Sequence, residues 1–255
     1  ILEKLIQYEA VHAIQGWQDL HRRLQADRRC FAFFHPALPG EPIIFIEVAL
    51  TRGMSTRIQP LLDPESPVSA PEAADCAVFY SITNCQEGLR GVPFGSFLIK
   101  KVVEDLSAEF PSLKTFATLS PLAGFCSWLR REAPKNEKWA RVLAQLEQPA
   151  WWESKIVADQ INHDLEPLCA HYLTLAKQGQ EPLDPVARFH LRNGARLERI
   201  NFLADTSSAG IQRSAGLMVN YLYRLADLER NHESYTKNLK VISSHHISWL
   251  AKQSL

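Results

Sequence analysis

Residues 89–96 (Leu-Arg-Gly-Val-Pro-Phe-Gly-Ser) have the composition and the position to bind a phosphate group. They follow a run rich in β-branched and aromatic residues at 76–82, which is typical of a β-strand. Apolar residues then recur at helical spacing up to Phe110, which predicts a helix. A strand that turns through Gly91 and Gly95 into a helix directs backbone N–H groups outward at the positive end of the helix dipole, where phosphates bind. An ordinary Gly/Pro loop is the alternative interpretation of the same residues.

His190 has the best local context among the candidate acid–base residues. Asp184 followed by Pro185 is a favourable start for a helix, and Asn193 followed by Gly194 is a favourable end. The sequence therefore predicts a short helix over Pro185–Arg192 with His190 in its last turn. The negative end of the helix dipole favours the imidazolium there, which would bias His190 towards carrying a proton that it can donate. The alternative is a packed, neutral histidine.

Ser120 stands at the end of a predicted short strand at residues 115–119 and directly before Pro121. We expect the edge of the sheet to open at this point, which would present the hydroxyl to a ligand. A serine that merely ends a strand in a turn is the alternative, since Ser-Pro dipeptides favour turns.

Two tyrosines and several histidines complete the candidates. Tyr221 and Tyr223 follow a turn at residues 214–216, and one of them is a candidate to donate its phenol hydroxyl into a site; a core aromatic is the alternative. The remaining histidines and the cysteines lack the paired spacing of zinc ligands. The sequence therefore predicts no metal site.

Composition excludes several classes of protein. Lys and Arg together number 28, as do Asp and Glu, so that nothing indicates binding to nucleic acid or to a charged membrane surface. No apolar run approaches the ~20 residues that a membrane span needs. The five cysteines are scattered and odd in number, which favours reduced thiols in an intracellular protein. A cytoplasmic location is the resulting expectation.

The rest of the chain predicts a mixed α/β fold. Residues 1–29 have the pattern of one or two amphipathic helices. Apolar runs at 30–34 and 43–50 predict a hairpin with a longer loop, and the proline-rich residues 60–71 predict a surface connection. Residues 124–179 read as helical, which we interpret as a helical insertion at about 124–180 beside a mixed sheet.

Several segments together closely resemble the malonyl-CoA decarboxylase family. They are Phe-His-Leu-Arg-Asn-Gly-Ala at 189–195, Arg-Ile-Asn-Phe-Leu-Ala-Asp at 199–205, Thr-Leu-Ser-Pro-Leu-Ala-Gly-Phe at 118–125 and the loop at 90–96. The likeness continues from Glu-Ala-Val-His at 9–12 and Pro-Gly-Glu-Pro at 39–42 to Gly-Leu-Met-Val-Asn-Tyr at 216–221, and so covers nearly the whole chain. The combination is specific, whereas no single motif would be.

The resemblance implies an acetyltransferase-like (GNAT) fold with flanking helices, formed by residues 1–255 as a catalytic domain. The N-terminal helical domain of the family is absent from this chain, and we expect residues to precede Ile1. Arg-x-x-Pro-x-Gly at 90–95 resembles the Arg/Gln-x-x-Gly-x-Gly/Ala loop that holds the coenzyme A pyrophosphate in that fold. The coenzyme-binding residues implied are Arg90, Gly91, Val92, Pro93, Phe94, Gly95 and Ser96. The family's catalytic serine and histidine map onto Ser120 and His190.

Pro93 is the departure from the pattern. Proline stands where the fold's loop has glycine and where relatives are expected to carry an acidic residue, and it has no N–H to donate. One phosphate contact is therefore lost, and a role of that acidic side chain is in doubt.

The implied reaction converts malonyl-CoA to acetyl-CoA and carbon dioxide. It passes through an enolate, which needs hydrogen-bond donors at the thioester oxygen and an acid that protonates the α-carbon. The thioester is the electron sink, so no metal or redox cofactor is expected; coenzyme A is part of the substrate. We expect a homo-oligomer in the full-length protein. An acyl-CoA-dependent N-acetyltransferase or a catalytically inactive acyl-CoA sensor on the same fold remain alternatives.

Overall fold

Two units build the computed structural model, which describes residues 2–89 and 95–254. The first unit runs to Leu119 and includes Tyr223–Leu225. The second comprises Ser120–Leu222 and the residues from Ala226 onward.

A mixed sheet of order β1-β2-β3-β4 forms the centre of the first unit. Its strands are β1 (Arg28–Phe34), β2 (Pro42–Thr51), β3 (Cys76–Asn84) and β4 (Thr115–Thr118). Its α-helices are α1 (Leu2–Tyr8), α2 (Trp17–Arg23), α3 (Gln59–Leu62) and α4 (Gly95–Glu109). Strand β2 pairs antiparallel with β1 and β3, whereas β3 and β4 are parallel and need the long connection that contains α4.

Apolar patterning explains how these elements pack. Strand β2 is buried at successive positions such as Phe45 and Ile46, whose side chains point to opposite faces, so that both faces of the sheet are covered. Helix α4 buries one stripe of apolar side chains at helical spacing, namely Leu98, Ile99, Val102, Val103 and Leu106. The sheet and α4 therefore share the core of the first unit.

In the second unit, β9 lies between β5 and β8. The strands of this unit are β5 (Ser120–Pro121), β6 (Lys177–Gln178), β7 (Glu181–Pro182), β8 (Arg196–Asn201) and β9 (Met218–Tyr223, whose last residue counts with the first unit). Strands β5 and β8 both run antiparallel to β9. The two-residue strands β6 and β7 pair separately as a small hairpin.

Helices make up most of the second unit. They are α5 (Phe125–Glu132), α6 (Glu137–Leu146), α7 (Lys155–Thr174), α8 (Pro185–Arg192), α9 (Ser208–Ser214), α10 (Leu228–Asn238) and α11 (His245–Gln253). Aromatic rings join the first three of these: the Trp128 ring lies 5.3 Å from that of Trp139 and 5.2 Å from that of Tyr172, centroid to centroid. Such pairs stabilise packing beyond the apolar area that they bury.

Most predicted elements are present. The helices before residue 29, the hairpin β1–β2, the strand β3, the helix α4 and the helical run after residue 124 are confirmed, and so is the mixed α/β class. The predicted strand at 115–119 is wrong in its end: β4 stops at Thr118, and Ser120 begins the separate strand β5. The Leu119 N–H still donates to the Phe79 oxygen of β3 at 2.9 Å, and the next residue, Ser120, pairs with Val219 of β9, which is far away in sequence. Among the described residues no helix is long and apolar enough to cross a membrane.

Candidate active site

Ser120 and His190 meet in the interior of the second unit. The Ser120 Oγ lies 3.1 Å from the His190 Nε2, within hydrogen-bond distance, although 70 residues separate them in the sequence. Ser120 is 6% exposed and His190 is 3% exposed. A hydrogen bond shielded from water is stronger than one at the surface, so that this pair is suited to orient a proton.

Strand pairing places the serine. Ser120 and Val219 are partners in the antiparallel pair β5–β9, and Pro121 pairs with Met218. Because proline cannot donate to a ladder, Pro121 is compatible with a strand at the edge of a sheet but not with a central one. The short strand β5 thus fixes the backbone of Ser120 without extending the sheet further.

Helix α8 places the histidine, and both of its ends are capped. At the start, the Asp184 carboxylate accepts a hydrogen bond of 2.7 Å from the Ala187 N–H, and Pro185 occupies the first helical position. At the end, Gly194 adopts a φ of 78°, which favours glycine. The Ala195 N–H then reaches back to the carbonyl oxygen of His190 itself, at 3.1 Å.

These contacts form a Schellman motif, because the Gly194 N–H also donates to the Leu191 carbonyl oxygen at 3.0 Å. A Cβ at position 194 would lie 2.3 Å from the backbone oxygen of Leu228. Glycine is therefore required both by the backbone angle and by the space. The predicted bounds of this helix, Pro185–Arg192, are confirmed.

Two aromatic rings hold the imidazole plane. The Tyr221 ring stacks on that of His190 with centroids 4.5 Å apart and planes 25° apart. The Phe189 ring meets the imidazole edge-on at 5.0 Å. Of the two candidate tyrosines, Tyr221 thus lies beside the candidate histidine. Tyr223 packs edge-on against Phe79 within the first unit, with 6.2 Å between centroids.

Burial sets the protonation of the imidazole. It lowers the pKa of His190 to about 3, because the charged form loses its hydration in the protein interior. The expectation that the helix dipole would bias His190 towards the imidazolium is therefore wrong for the chain without substrate. The dipole is worth about 2 kcal/mol at most, and desolvation of a fully buried group exceeds this. Burial therefore favours the neutral histidine, which was the alternative interpretation.

A second layer of contacts supports helix α8. The Tyr172 hydroxyl donates to Asp184 at 3.1 Å, so that the carboxylate that caps α8 is itself held by α7. Burial raises the pKa of Asp184, while its hydrogen bonds oppose that shift. The hydroxyl of Tyr172 also approaches Gly124, where an added Cβ would lie only 2.6 Å away from it. Sequence patterns gave no sign of Tyr172; Gly124 was part of the resembling segment at 118–125.

The coenzyme-binding segment is only partly described. Arg90, Gly91, Val92, Pro93 and Phe94 lie outside the described residues, while Gly95 and Ser96 open helix α4. The flanking elements are those predicted, a strand before the segment and a helix after it. Its role remains a prediction from the sequence.

Cys85 and His171 are two further titratable residues, and both lie apart from the contact of Ser120 with His190. Burial raises the pKa of the Cys85 thiol to about 11, which disfavours the nucleophilic thiolate. His171 contacts the Ser254 hydroxyl through its Nδ1 at 2.9 Å and packs on tryptophan rings. Within the described part of the chain, no group of three or more His, Cys, Asp or Glu side chains is arranged to hold a metal ion.

Known proteins resemble this chain along its length. The family model of the malonyl-CoA decarboxylase C-terminal domain matches residues 1–255. The mitochondrial malonyl-CoA decarboxylase of Anser anser anser is 40% identical over 268 residues, which covers 94% of this chain and 53% of the relative. The chain thus spans about half the length of the curated relatives it matches.

Solved structures of malonyl-CoA decarboxylases are also similar to this chain. The crystal structure of malonyl-CoA decarboxylase from Rhodopseudomonas palustris superimposes with a TM-score of 0.92 at 48% identity, covering 96% of this chain and 62% of that one. A structure described as GphF, a GNAT-like decarboxylase in complex with isobutyryl-CoA, gives a TM-score of 0.52 at 17% identity, covering 88% and 94% of the two chains. The latter likeness concerns the fold alone, and confirms the predicted GNAT-like architecture. The chain belongs to the malonyl-CoA decarboxylase family, as its C-terminal domain.

Proposed function

We propose that this chain catalyses the decarboxylation of malonyl-CoA to acetyl-CoA and carbon dioxide. Family membership supports the substrate and the reaction. The observation that carries the proposal is the buried contact of 3.1 Å between the Ser120 Oγ and the His190 Nε2. It joins the two residues to which the family's catalytic serine and histidine map.

The reaction breaks the bond between the carboxylate carbon and the α-carbon. The electron pair moves into the thioester and gives an enolate, and the carboxylate leaves as carbon dioxide. A proton then adds to the α-carbon, so that one proton is consumed for each acetyl-CoA formed. The protein must supply this proton and stabilise negative charge on the thioester oxygen.

His190 is the proposed proton donor. Burial in the protein lowers its pKa to about 3. A malonyl carboxylate, and after it the enolate, would bring negative charge close to the ring, and an opposite charge within ~4–6 Å favours the protonated form. Substrate binding would therefore raise the pKa of His190 and let it take up the proton that the reaction consumes.

Ser120 is the proposed hydrogen-bond donor to the malonyl group or to its developing charge. Its Oγ lies 3.1 Å from the His190 Nε2, so that an imidazole protonated at Nε2 donates to the Oγ and leaves the hydroxyl proton free for the substrate. Tyr221, stacked on the imidazole, would keep the ring in one plane as the proton moves. We propose no metal or redox cofactor, because the thioester accepts the electrons.

Substitution of the two residues tests the proposal. We expect His190→Asn to lower kcat by roughly 10²–10⁴ and Ser120→Ala by roughly 10²–10³, with little change in substrate binding. The combined variant should lose less than the product of the two effects, since both residues act on one transition state. His163→Asn is the matched control, because that imidazole is on the same unit and 87% exposed. Normal turnover of His190→Asn would refute the mechanism.

The reaction products distinguish the decarboxylase from the two alternative functions, an N-acetyltransferase and an acyl-CoA sensor. The protein is incubated with malonyl-CoA, with and without an amine acceptor, and acetyl-CoA and carbon dioxide are measured. Acetyl-CoA without an amine supports the decarboxylase. Acylated amine with release of free coenzyme A, but without carbon dioxide, would indicate an N-acyltransferase, and bound but unchanged malonyl-CoA would indicate a sensor.

Coenzyme A is proposed to bind through Arg90 and its neighbours up to Ser96. Arg90→Glu would place a negative charge at a phosphate site, and we expect the affinity for coenzyme A thioesters to fall at least about tenfold, because a charge-assisted hydrogen bond is worth ~1.5–3 kcal/mol. The fold should remain intact, as judged by the unfolding midpoint. An Arg90→Glu variant with unchanged affinity for malonyl-CoA would refute the proposal that this loop binds coenzyme A.

A cytoplasmic location and a homo-oligomeric full-length protein are also proposals. The goose and rat relatives are named as mitochondrial enzymes. Fractionation of cells that express the full-length protein would decide the location, and light scattering of the purified protein would decide the oligomeric state.

A further inference from the structure

A cavity in the first unit lies beside the starts of β1 and β3 and the end of β2. Its volume is about 470 Å³, and it is walled by Leu50, Thr51 and the connection that runs from Pro60 to Ala74. Strand β3 begins at this cavity, and the chain enters the proposed coenzyme loop only after the other end of β3. Nine extended residues separate the two ends by roughly 26 Å. The described end of β3 at Asn84 thus lies far from the cavity.

Positive charge dominates the lining of this cavity. The charged residues that line it, among those that the structure describes, are Arg22, Arg28, Arg52 and Asp27. Three guanidinium groups thus face one carboxylate. Buried charges are normally balanced, so that the excess is a reason to look for an anion.

The one carboxylate is fully engaged. Asp27 accepts two hydrogen bonds from Arg22, at 2.7 and 3.0 Å, and lies 3.0 Å from the Arg28 Nη1. It also accepts from the Ser69 N–H at 3.1 Å. Asp27 therefore ties the connection to the sheet, and its single negative charge is shared by two buried arginines.

The arginines retain donor capacity. Arg22 and Arg28 are both 4% exposed, and the Nε of each finds no acceptor among the described residues. Burial lowers the pKa of Arg28, and the neighbouring charge of Arg22 acts in the same direction. Arg52 lies on the exposed rim and has no ion-pair partner within the described chain. The Nη atoms of the two buried arginines also donate to backbone carbonyls, Arg22 to Pro67 at 3.3 Å and Arg28 to Leu61 at 3.1 Å, so that their spare donors are the two Nε groups.

We infer that this cavity is a second ligand site of the chain, which binds a compact oxyanion carried on a small apolar body, such as an organic phosphate. Guanidinium groups match the geometry of phosphate and carboxylate oxygens. The remaining lining is mainly apolar and includes Leu50, Leu61 and Ala73. The two buried arginines supply positive charge from the protein interior, and Arg52 contacts the anion from the exposed rim. The apolar wall packs against the organic group that carries the anion.

Inorganic phosphate and phenyl phosphate are the probes. Affinity is measured by calorimetry, and by the rise in Tm, at matched ionic strength with chloride as the reference. We expect phenyl phosphate to bind about tenfold or more tightly than inorganic phosphate, because its ring buries apolar area. Arg52→Ala should weaken both probes about fivefold, as loss of a largely exposed charge pair does.

Three further variants separate the site from general anion binding. Arg57→Ala removes an exposed arginine that does not line the cavity, and should leave both affinities within twofold of the wild type. Ala73→Leu fills the apolar part from the exposed side, and should abolish the advantage of phenyl phosphate. Arg90→Glu should leave binding of both probes at this cavity intact. Equal effects of Arg52→Ala and Arg57→Ala, or an unchanged phenyl phosphate affinity in Ala73→Leu, would overturn the inference.

Discussion

The capping carboxylate of helix α8 provides the sharpest test of how the fold holds His190. Asp184 is 1% exposed and makes two contacts, one to the Ala187 N–H at 2.7 Å and one to the Tyr172 hydroxyl at 3.1 Å. Asp184→Ala removes both. Loss of an N-cap costs about 1 kcal/mol, and a buried hydroxyl left without its acceptor costs ~1–3 kcal/mol. We therefore expect a loss of about 2–4 kcal/mol in the free energy of unfolding.

Asp184→Asn is the matched control. Its side-chain oxygen can still accept from Ala187, its amide can donate to the Tyr172 hydroxyl, and asparagine is as good an N-cap as aspartate. We expect it to lose less than about 1 kcal/mol. In the proposed reaction Asp184→Ala should also lower kcat by ten- to a hundredfold, since a shift of His190 by ~1 Å is worth about that much.

Urea unfolding followed by tryptophan fluorescence is the assay. Of the six tryptophans, only Trp17 lies outside the second unit, so that the signal reports on the unit that contains α8. With an m-value of ~2 kcal/mol/M, the expected loss moves the midpoint of Asp184→Ala down by about 1–2 M. An Asp184→Ala midpoint close to that of the wild type, or equal damage in Asp184→Asn, would refute the reasoning.

Two further predictions follow from the same helix. Gly194→Ala should lose more than about 2 kcal/mol, because its Cβ would lie 2.3 Å from the Leu228 backbone oxygen at a φ of 78°; a wild-type Tm would contradict this. Stability should also fall as pH falls from 6.5 towards 3, because burial lowers the pKa of His190 to about 3 and the unfolded chain binds the proton first. The loss is at most about 5 kcal/mol and should shrink in His190→Asn; equal acid sensitivity of both proteins would contradict it.

The sequence determined the elements that depend on near neighbours. Asp184-Pro185 and Asn193-Gly194 set the two ends of α8, because capping is an exchange of hydrogen bonds within a few residues. The strand β3 before residues 90–96 and the helix α4 after them were likewise predicted from local apolar patterning. The resembling segments, taken together, also indicated the family to which the chain belongs.

Tertiary structure decided what depends on distant residues. The 3.1 Å contact of Ser120 with His190 arises because β5 pairs with β9, which no spacing along the chain reveals. The same is true of the choice of Tyr221 over Tyr223 as the neighbour of the imidazole. The protonation of His190 is the clearest case: the dipole of its own helix favours the charged form, but desolvation by the rest of the unit outweighs it. Local geometry can be inferred from the sequence, whereas the dielectric surroundings of a side chain exist only once the whole unit has packed.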